Sequence, residues 1–373
     1  MKVAWVSTWD RVCGIADYSK ELWPVVQKNL EERGDNGALF SLDKYQNQDQ
    51  LINELNNFAP DIVHIQHEYS FFGGKNPPLY TFPKLIRRLR ADLPQSKILA
   101  TAHTVIPENY RFPLVGKAWQ IPIRSLANIL FLKNLRKYWG PRTWGAIHGT
   151  ITHSKKQLEV VRKAGTPYAE AVPLFVPIKE KSQAVNGDFK DILVFGFFGY
   201  EKGQDIAIEA FSYLKDLPKI RLILAGGLRE KNKSDYLKVC EEQIKRLGLD
   251  NQVIITGYLD QDGLKKYFNE ATLVLAPFRS TSGSASITHG LARGLPILAS
   301  DLPLNLEINE RQSGTLEYFK NNDPEDLAEK IRTLVFDQTR LNGLRQGALR
   351  YAVSVSPNRI ALQHLMVYDN LVK

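Results

Sequence analysis

The stretch TSGSASITHGLARGLPILASD, residues 281–301, contains in order a loop, a short helix, a turn and a strand. The loop is made of small and hydroxyl side chains, and one serine would be enough to cap the helix that follows. A run of small residues also leaves backbone N–H groups accessible at the helix start, where the helix dipole favours an anion. The stretch therefore predicts a phosphate-binding loop between a strand and a helix.

The same alternation of strands and helices extends over the whole chain. Short apolar strands such as DIVHIQH, KILATAHTV, IRLILAGG and ATLVLAPF are separated by amphipathic helices, which is typical of parallel sheets covered on both faces. A linker-like segment with two prolines, residues 171–191, divides the strands into two runs. We therefore expect an α/β chain with two Rossmann-like, doubly wound parallel-sheet domains that face a cleft. Their expected bounds are residues 1–175 and 188–355, followed by a C-terminal helix over residues 356–373.

Composition excludes several classes of protein. A chain of 373 residues with 43% hydrophobic and 24% charged residues is ordinary for a globular protein of two domains. The two cysteines, Cys13 and Cys240, form neither a metal-binding spacing nor a disulfide framework. No run of 18 apolar residues is present, and the N-terminus predicts a first strand rather than a signal peptide. These features favour a cytoplasmic protein.

Ligands of doubly wound sheets bind beyond the carboxyl ends of the strands, so the turns after strands are where we expect chemistry. Gly14 follows the first strand, and His67, Glu68 and His103 lie at the ends of two later strands. Each position could equally be an ordinary turn or a packed core residue. Lys202, in a glycine-bordered loop before a helix, suits a phosphate, although a lone lysine is more often merely solvated.

Six segments in register give the chain a resemblance to family 4 of the glycosyltransferases, retaining enzymes with the GT-B fold. The segments are CGIADYSKEL, DIVHIQHE, ILATAHT, FGFFGYEKGQDIAIEAF, ITGYLDQDGLKKYFNEATLVLAPF and HGLARGLPILASDLP. SPNRIALQHLMVYDNL is similar to the family's C-terminal helix, which returns to the N-terminal domain. The resemblance implies a retaining transferase that moves a hexose from a UDP- or GDP-linked sugar to a glycan or lipid-linked acceptor in polysaccharide or glycolipid synthesis.

The resemblance also implies roles for individual residues. His103 would lie beside the donor sugar and Lys202 would bind the diphosphate, so these two are the expected catalytic residues. His67 and Glu68 are expected on the acceptor side. The expected donor-binding residues are Gly14, Gly257, Tyr258, Thr281, Ser282, Gly283, Ser284, Ala285, Ser286 and His289. A cation and helix N–H groups aimed at the departing diphosphate stabilise its charge, so we expect neither a metal nor a cofactor.

Three positions depart from the family pattern. Thr281 and His289 stand where the family has two glutamates, and Phe197 stands where it has an arginine. Thr281 and His289 can still form hydrogen bonds without a carboxylate's charge, although His289 could instead pack locally. A non-catalytic GT-B subunit that supports a partner transferase therefore remains an alternative. A sugar-nucleotide epimerase or a dinucleotide-dependent oxidoreductase is a third, and for the latter no G-x-G-x-x-G follows the first strand.

The net charge of +9 is concentrated in the first half of the chain. Between Arg111 and Arg142 lie seven basic residues and no acidic one, interleaved with tryptophan and phenylalanine. Such a face predicts binding to an anionic membrane surface, whereas a packed core or an acidic protein partner are the alternatives. Since no nucleic-acid fold motif is present, we expect no nucleic acid partner. The expected membrane-face residues are Arg87, Arg88, Arg124, Lys133, Arg136 and Lys137.

Overall fold

The computed structural model describes residues 1–11, 13–73, 80–106, 111, 120–130, 136, 139–177, 188–227, 235–281, 283 and 285–373. The chain divides into two compact units. The first unit contains Met1–Leu174 and Pro357–Lys373, and the second contains Phe175–Ser356. The C-terminal helix therefore belongs to the first unit.

Strands and helices are numbered here in chain order over the described residues. The strands are β1 Lys2–Ser7, β2 Asn36–Ser41, β3 Ile62–His67, β4 Lys97–Ala102, β5 Gly149–Thr152, β6 Tyr168–Ala171, β7 Lys190–Phe195, β8 Ile220–Ala225, β9 Val253–Gly257, β10 Ala271–Ala276, β11 Ile297–Ser300 and β12 Glu317–Phe319. The helices are α1 Gly14–Glu32, α2 Gln48–Phe58, α3 Phe82–Asp92, α4 Gln120–Leu130, α5 Pro141–Trp144, α6 Lys155–Lys163, α7 Gln204–Ser212, α8 Asp235–Leu247, α9 Gln261–Glu270, α10 Ala285–Ala292, α11 Pro303–Arg311, α12 Pro324–Leu334, α13 Gln338–Ser354 and α14 Pro357–Val372.

Each unit is built on one parallel sheet of six strands. The strand order is β2-β1-β3-β4-β5-β6 in the first unit and β12-β11-β10-β7-β8-β9 in the second. The central strands are buried along nearly their whole length, because helices cover both faces and a continuous apolar run can be buried from both sides. The predicted fold class, two doubly wound parallel sheets, is confirmed.

Helix α14 packs against α1 of the first unit. The guanidinium of Arg33 donates to Asp369 over 2.6 Å, and the Asn29 amide donates to Asn358 over 3.0 Å. The inner face of α14 buries Tyr368 completely, and its hydroxyl lies 2.7 Å from Nδ1 of His64 on β3. The last helix is thus bonded to a central strand of the first sheet as well as to its covering helix.

The core of the first unit contains an unusual number of histidines. His64, His67 and His364 are fully buried, and His153 is 4% exposed. The ring of His67 contacts an aromatic cluster, and its Nε2 lies 2.9 Å from the Tyr80 hydroxyl. A side chain with no exposed surface cannot meet an acceptor, so the prediction of an acceptor role for His67 is wrong. Hydrogen bonding and ring packing account for this histidine.

Burial disfavours the charged imidazole of these histidines. It lowers the pKa of His67 to about 3 and the pKa values of His153 and His364 to about 4. Burial and then neighbouring histidines lower the pKa values of His64 and His103 well below the ordinary value. These groups are therefore neutral in the folded chain at neutral pH.

We expect the first unit to lose stability in mild acid. In the unfolded chain histidine binds its proton near pH 6.5, so below that pH the unfolded state binds more protons than the folded state. The contribution of these histidines to the free energy of unfolding is fully present above about pH 6.5. As the pH falls below that value, the free energy of unfolding decreases by up to about 1.4 kcal/mol per pH unit for each histidine.

Melting followed by tryptophan fluorescence measures this unit alone, because all six tryptophans precede residue 145. Between pH 7.5 and 5.5 the fluorescence midpoint should fall markedly. The second unit contains one of the seven histidines, His289, and its calorimetric transition serves as the internal control. Equal shifts of both transitions would contradict the explanation.

Candidate functional site

Glycines bring three strands of the second unit together at their carboxyl ends. Gly196 follows β7 with φ 134°, and Gly257 ends β9 with φ 72°, a region that favours glycine. A Cβ on Gly226, which follows β8, would lie 1.9 Å from the Gly196 carbonyl oxygen. At this edge of the second sheet, backbone segments therefore lie too close together for side chains to fit between them. Sequence reasoning did not single out Gly226, because LAGG reads only as the end of a strand.

Lys202 lies in the turn that connects β7 to α7. The turn Tyr200–Lys202 is one 3₁₀ turn, and Gly203 then caps α7 with φ 67°. The ammonium group of Lys202 lies 4.3 Å from the centroid of the Phe278 ring, a cation–π contact that orients the half-buried side chain. The structure thus places a cation beside a helix N-terminus, the arrangement predicted to suit a phosphate.

Arg279 holds this turn from the loop that follows β10. Its backbone N–H donates to the Glu201 carbonyl over 3.0 Å, and its Nη1 donates to the Tyr200 carbonyl over 2.9 Å. The guanidinium also forms a bidentate pair with Asp205 at 2.7 and 2.8 Å. Burial opposes ionisation of Asp205, but the hydrogen bonds from Arg279 and Tyr236 hold the pKa of that carboxyl below its usual value. Sequence reasoning missed Arg279, because no local pattern distinguishes it from a surface arginine.

The small-residue loop before α10 is folded by its own side chains. Thr281 Oγ1 donates to the Gly283 carbonyl over 2.7 Å and accepts from the Gly283 N–H over 3.2 Å. Ser286 donates its hydroxyl to the Phe195 carbonyl at the end of β7. Ala285 begins α10, whereas Ser282 and Ser284 lie outside the described residues. Ser286 thus fastens α10 to the central strand.

His289 packs between two phenylalanines on the inner side of α10. Its ring is stacked on Phe268 with centroids 5.7 Å apart, and it meets Phe195 edge-on at 5.3 Å. Arg293, one turn later, donates from Nη1 to Nδ1 of His289 over 3.3 Å and lies 4.6 Å from the Phe268 centroid. A neutral His289 that accepts at Nδ1 carries its proton on Nε2 and can donate only there.

Exposed aromatic rings flank the same strand ends. The Tyr258 side chain is 72% exposed after β9, and Phe197, at the position of the expected arginine, is 41% exposed after β7. A Cβ on Gly227 would lie 3.1 Å from Tyr258 Cβ, so the small residue lets the tyrosine lie against the end of β8. Phe197 supplies no charge here, whereas Lys202 brings a cation to the turn that follows.

In the first unit, Gly14 begins α1 directly after the loop that follows β1. A Cβ on Gly14 would meet nothing within 4 Å, so the fold does not demand glycine there and its contribution is open space. Asp43, which follows β2, orders the loop between β1 and α1. Its carboxylate accepts from the backbone N–H groups of Trp9 and Asp10 over 2.7 and 3.0 Å. Arg11 Nε pairs with the same carboxylate at 2.6 Å.

His103 lies at the end of β4 and is oriented by two neighbours. Its Nε2 donates to Gln66 Oε1 over 2.9 Å, and its Nδ1 lies 3.2 Å from Nε2 of His153, which follows β5. The ring also meets Tyr18 of α1 edge-on, with centroids 4.9 Å apart. The hydrogen bond to Gln66 and the neighbouring rings of Tyr18 and His153 thus fix the half-buried side chain of His103. Sequence reasoning missed Gln66 and His153 as partners of this histidine.

Glu68 directly follows β3, the strand that pairs with β4 in the sheet. Its Oε2 accepts from Thr104 Oγ1 over 2.6 Å, which joins the ends of β3 and β4. The carboxylate is half-buried, so its acceptor role stays a prediction.

The expected membrane face divides into parts with different surroundings. Helix α3 buries its apolar side in the core; Arg87 on its outer side is exposed, whereas Arg88 pairs with Asp49. Trp139 and Trp144 are 4% and 0% exposed, so these two rings belong to the core, which was the alternative for the aromatic residues of this segment. Lys133, Lys137 and the side chain of Arg124 lie outside the described residues, and Arg136 is described within a helical turn.

Helix α4 differs from α3 because its apolar side chains are exposed. Ile123, Leu126 and Ile129 are 58%, 53% and 73% exposed.

Within the described ranges, no helix combines the length and low polarity that crossing a bilayer requires. Among the described residues, no group of three His, Cys, Asp or Glu side chains could hold a metal ion, and metal independence stays a prediction.

Comparison with solved structures identifies the fold as that of the GT-B glycosyltransferases. The crystal structure of HepE from Anabaena in complex with UDP superposes with a TM-score of 0.69 at 15% identity and covers 99% of this chain and 100% of that chain. Residues 176–350 match the family model described as Glycosyl transferases group 1. This part of the chain is similar to that family, and the predicted resemblance is confirmed.

Two curated relatives align with part of the chain. D-inositol 3-phosphate glycosyltransferase 1 of Catenulispora acidiphila is 30% identical over 183 residues, which cover 46% of this chain and 42% of that protein. Alpha-monoglucosyldiacylglycerol synthase of Streptococcus pneumoniae is 28% identical over 131 residues, 35% of this chain and 28% of that protein. The alignments span less than half the length of these relatives.

Gly203→Ala should destabilise the second unit and displace the Lys202 turn. A Cβ at Gly203 would lie 1.9 Å from the Pro277 carbonyl oxygen, in addition to the cost of φ 67° for alanine. We expect a loss of about 2–4 kcal/mol in the free energy of unfolding.

Gly248→Ala is the matched control, since φ is 63° there but nothing lies within 4 Å of the added Cβ. It should cost about 1–2 kcal/mol. Calorimetric unfolding of the second unit measures both variants. Equal losses would show that the contact with Pro277 has no consequence.

Proposed function

We propose that the chain is a retaining, metal-independent hexosyltransferase that uses a UDP- or GDP-linked sugar. The observation that carries the proposal is the Lys202 turn, a cation beside the N-terminus of α7 on an edge lined by glycine backbone. A departing diphosphate is stabilised by fixed N–H dipoles and a cation. The solved structure of HepE, which shares the fold, contains UDP, in agreement with a nucleotide-linked donor.

The other donor contacts are assigned to the same edge of the second unit. Gly257 and the exposed ring of Tyr258 would meet the base, and the loop from Thr281 to Ser286 would close on the sugar and phosphate. His289 is assigned to the ribose as a neutral donor, because acceptance from Arg293 leaves its proton on Nε2.

The first unit is assigned to the acceptor and to the reacting sugar. Gly14 gives open space at the N-terminus of α1. His103 is held by its hydrogen bond to Gln66 and by the rings of Tyr18 and His153, so it would present a rigid imidazole to the sugar. Glu68 is the carboxylate assigned to the acceptor side. No cofactor is included in the proposal, since the nucleotide sugar is itself a substrate.

A non-catalytic nucleotide-binding subunit is the second candidate. The observation that favours it is that Phe197, Thr281 and His289 replace three charged groups of the family pattern. Such a protein would bind a nucleotide through Lys202 without turning over the nucleotide sugar. Turnover in the experiment below would exclude it.

Lys202→Ala should lower kcat/KM by about 2–4 kcal/mol of transition-state stabilisation, because the diphosphate loses its cation. UDP- and GDP-linked hexoses are screened first for hydrolysis and for thermal stabilisation of the wild-type chain. Lys219→Ala, an exposed lysine at the opposite edge of the same sheet, is the matched control and should behave as wild type. Retention of activity in Lys202→Ala would contradict the assignment.

The acceptor is proposed to be lipid-linked and reached from the cytoplasmic surface of an anionic membrane. Helix α4 supports this proposal, because it leaves Ile123, Leu126 and Ile129 exposed in a basic part of the chain. An amphipathic helix of this kind lies in the interface of a bilayer. The S. pneumoniae relative is named alpha-monoglucosyldiacylglycerol synthase, in agreement with a lipid acceptor. Arg87, Arg124, Lys133, Arg136 and Lys137 would contact the lipid headgroups.

Co-sedimentation with vesicles tests the membrane surface. Binding to vesicles that contain anionic lipid should exceed binding to neutral vesicles and should fall as salt is added. The double variant Ile123→Ser and Ile129→Ser should bind at least about tenfold more weakly, because two apolar side chains no longer enter the interface.

Met366→Ser is the control, since Met366 on α14 is 64% exposed but belongs to another helix. Equal binding of the double variant and the Met366 variant would reject α4 as the membrane surface.

A further inference from the structure

Arg279 forms more bonds to the Lys202 turn than the proposed function requires of it. It donates to the carbonyls of Tyr200 and Glu201, the two residues that precede Lys202. Its guanidinium carbon also lies 4.1 Å from the centroid of the Tyr200 ring. One arginine therefore contacts both the backbone and a side chain of the turn.

The same guanidinium is anchored on its other sides. Nη1 and Nη2 form the bidentate pair with Asp205 in the first turn of α7, and Nε donates to Asn322 Oδ1 over 3.0 Å. The side chains of Arg279 and Asp205 are only 17% and 23% exposed. Since the carboxylate neutralises the guanidinium, Arg279 contributes rigidity to the turn rather than net charge.

The residues adjoining Arg279 complete the enclosure of the turn. Phe278 contacts the ammonium group of Lys202, and the Pro277 carbonyl leaves no room for a side chain at Gly203. Pro277, Phe278 and Arg279 thus contact the turn from Tyr200 to Gly203. A lysine has many rotamers, and holding its backbone and stem in advance reduces the entropy lost when it binds an anion.

We propose that Arg279 is a positioning residue that fixes Lys202 in the conformation that meets the diphosphate of the donor. The proposal rests on the proposed function, because it takes Lys202 as the diphosphate-binding cation. It adds a residue that does not touch the ligand and acts through Lys202. Lysine in place of Arg279 keeps the charge but loses the planar fork that joins Asp205 and Tyr200.

The second unit offers a matched control for Arg279→Lys. Arg221 forms a bidentate pair with Asp191 at 2.7 and 2.7 Å, and its guanidinium carbon lies 4.1 Å from the Phe189 centroid. This pair is at the amino end of β7 and β8, the edge opposite the Lys202 turn. Arg221→Lys therefore removes the same kind of interaction without touching the site.

Binding of UDP and GDP to the full chain is measured by calorimetry, with uridine and guanosine as probes that lack phosphate. We expect Arg279→Lys to lower the affinity for UDP or GDP by about tenfold and to leave the affinity for the nucleoside unchanged. Arg221→Lys should lower the melting temperature without this loss of affinity. Loss of nucleoside binding in Arg279→Lys, or an equal loss of diphosphate affinity in Arg221→Lys, would overturn the proposal.

A double variant tests whether Arg279 acts through Lys202. In the Lys202→Ala background, Arg279→Lys should cause no further loss, since no ammonium group remains to be positioned. Multiplicative losses would overturn the inference. If Arg279→Lys fails to fold, Asn322→Gly removes the acceptor of Nε and keeps φ 63° accessible. It should weaken the diphosphate by about two- to threefold, and wild-type affinity in that variant would overturn the inference.

The failure of the two proposals can be told apart. A wild-type chain that binds neither UDP nor GDP overturns the proposed function and this inference with it. A chain in which Lys202→Ala loses diphosphate affinity while Arg279→Lys does not overturns the inference alone.

Discussion

The rest of the site depends on glycine residues that let two backbone segments come very close at the carboxyl ends of the second sheet. Gly226 lies against the Gly196 carbonyl and Gly203 against the Pro277 carbonyl, each too near for any Cβ. These contacts bring the loops after three strands into one small area. This proximity is what the proposed function needs, because the Lys202 turn, the start of α7 and the start of α10 would then offer N–H groups and a cation to one diphosphate. A side chain at either glycine would push these loops apart, even if the substitution left the charge of the site unchanged.

The electrostatic design of the two units differs. In the second unit the guanidinium of Arg279 is neutralised by Asp205, and the ammonium of Lys202 lies 4.3 Å from the centroid of the Phe278 ring. In the first unit, burial keeps a group of histidines neutral. Fixed dipoles and a few positioned charges in a partly dry environment stabilise developing charge without the reorganisation that water would need.

The fold followed from the sequence because its signal is local and repeated. Apolar strands that alternate with helices specify parallel sheets without knowledge of any contact. The candidate site followed only in part. His67 and His103 both end a strand in the sequence, yet the alternation of side chains along β3 turns His67 into the aromatic core. Trp139 and Trp144 fit a membrane face by composition, but tertiary packing buries them, and the exposed stripe of α4 has no aromatic residue. Arg279 and His153 gain their importance from partners distant in sequence, which no local pattern contains.

The departures from the family pattern agree with one another physically. A glutamate at position 289 would lie between Phe195 and Phe268 and would pair with Arg293, so its partial desolvation would have to be offset by that ion pair. A neutral imidazole stacks there and accepts from Arg293 instead. Thr281 likewise satisfies its hydroxyl within the loop through Gly283, and Phe197 places an apolar ring where a cation was expected. The three changes together remove two negative charges and one positive charge, so the edge becomes less polar while the net charge changes by only one unit. Such an edge depends more heavily on Lys202 for its attraction to a diphosphate, which is the reason a rigidly held lysine turn would be of use here.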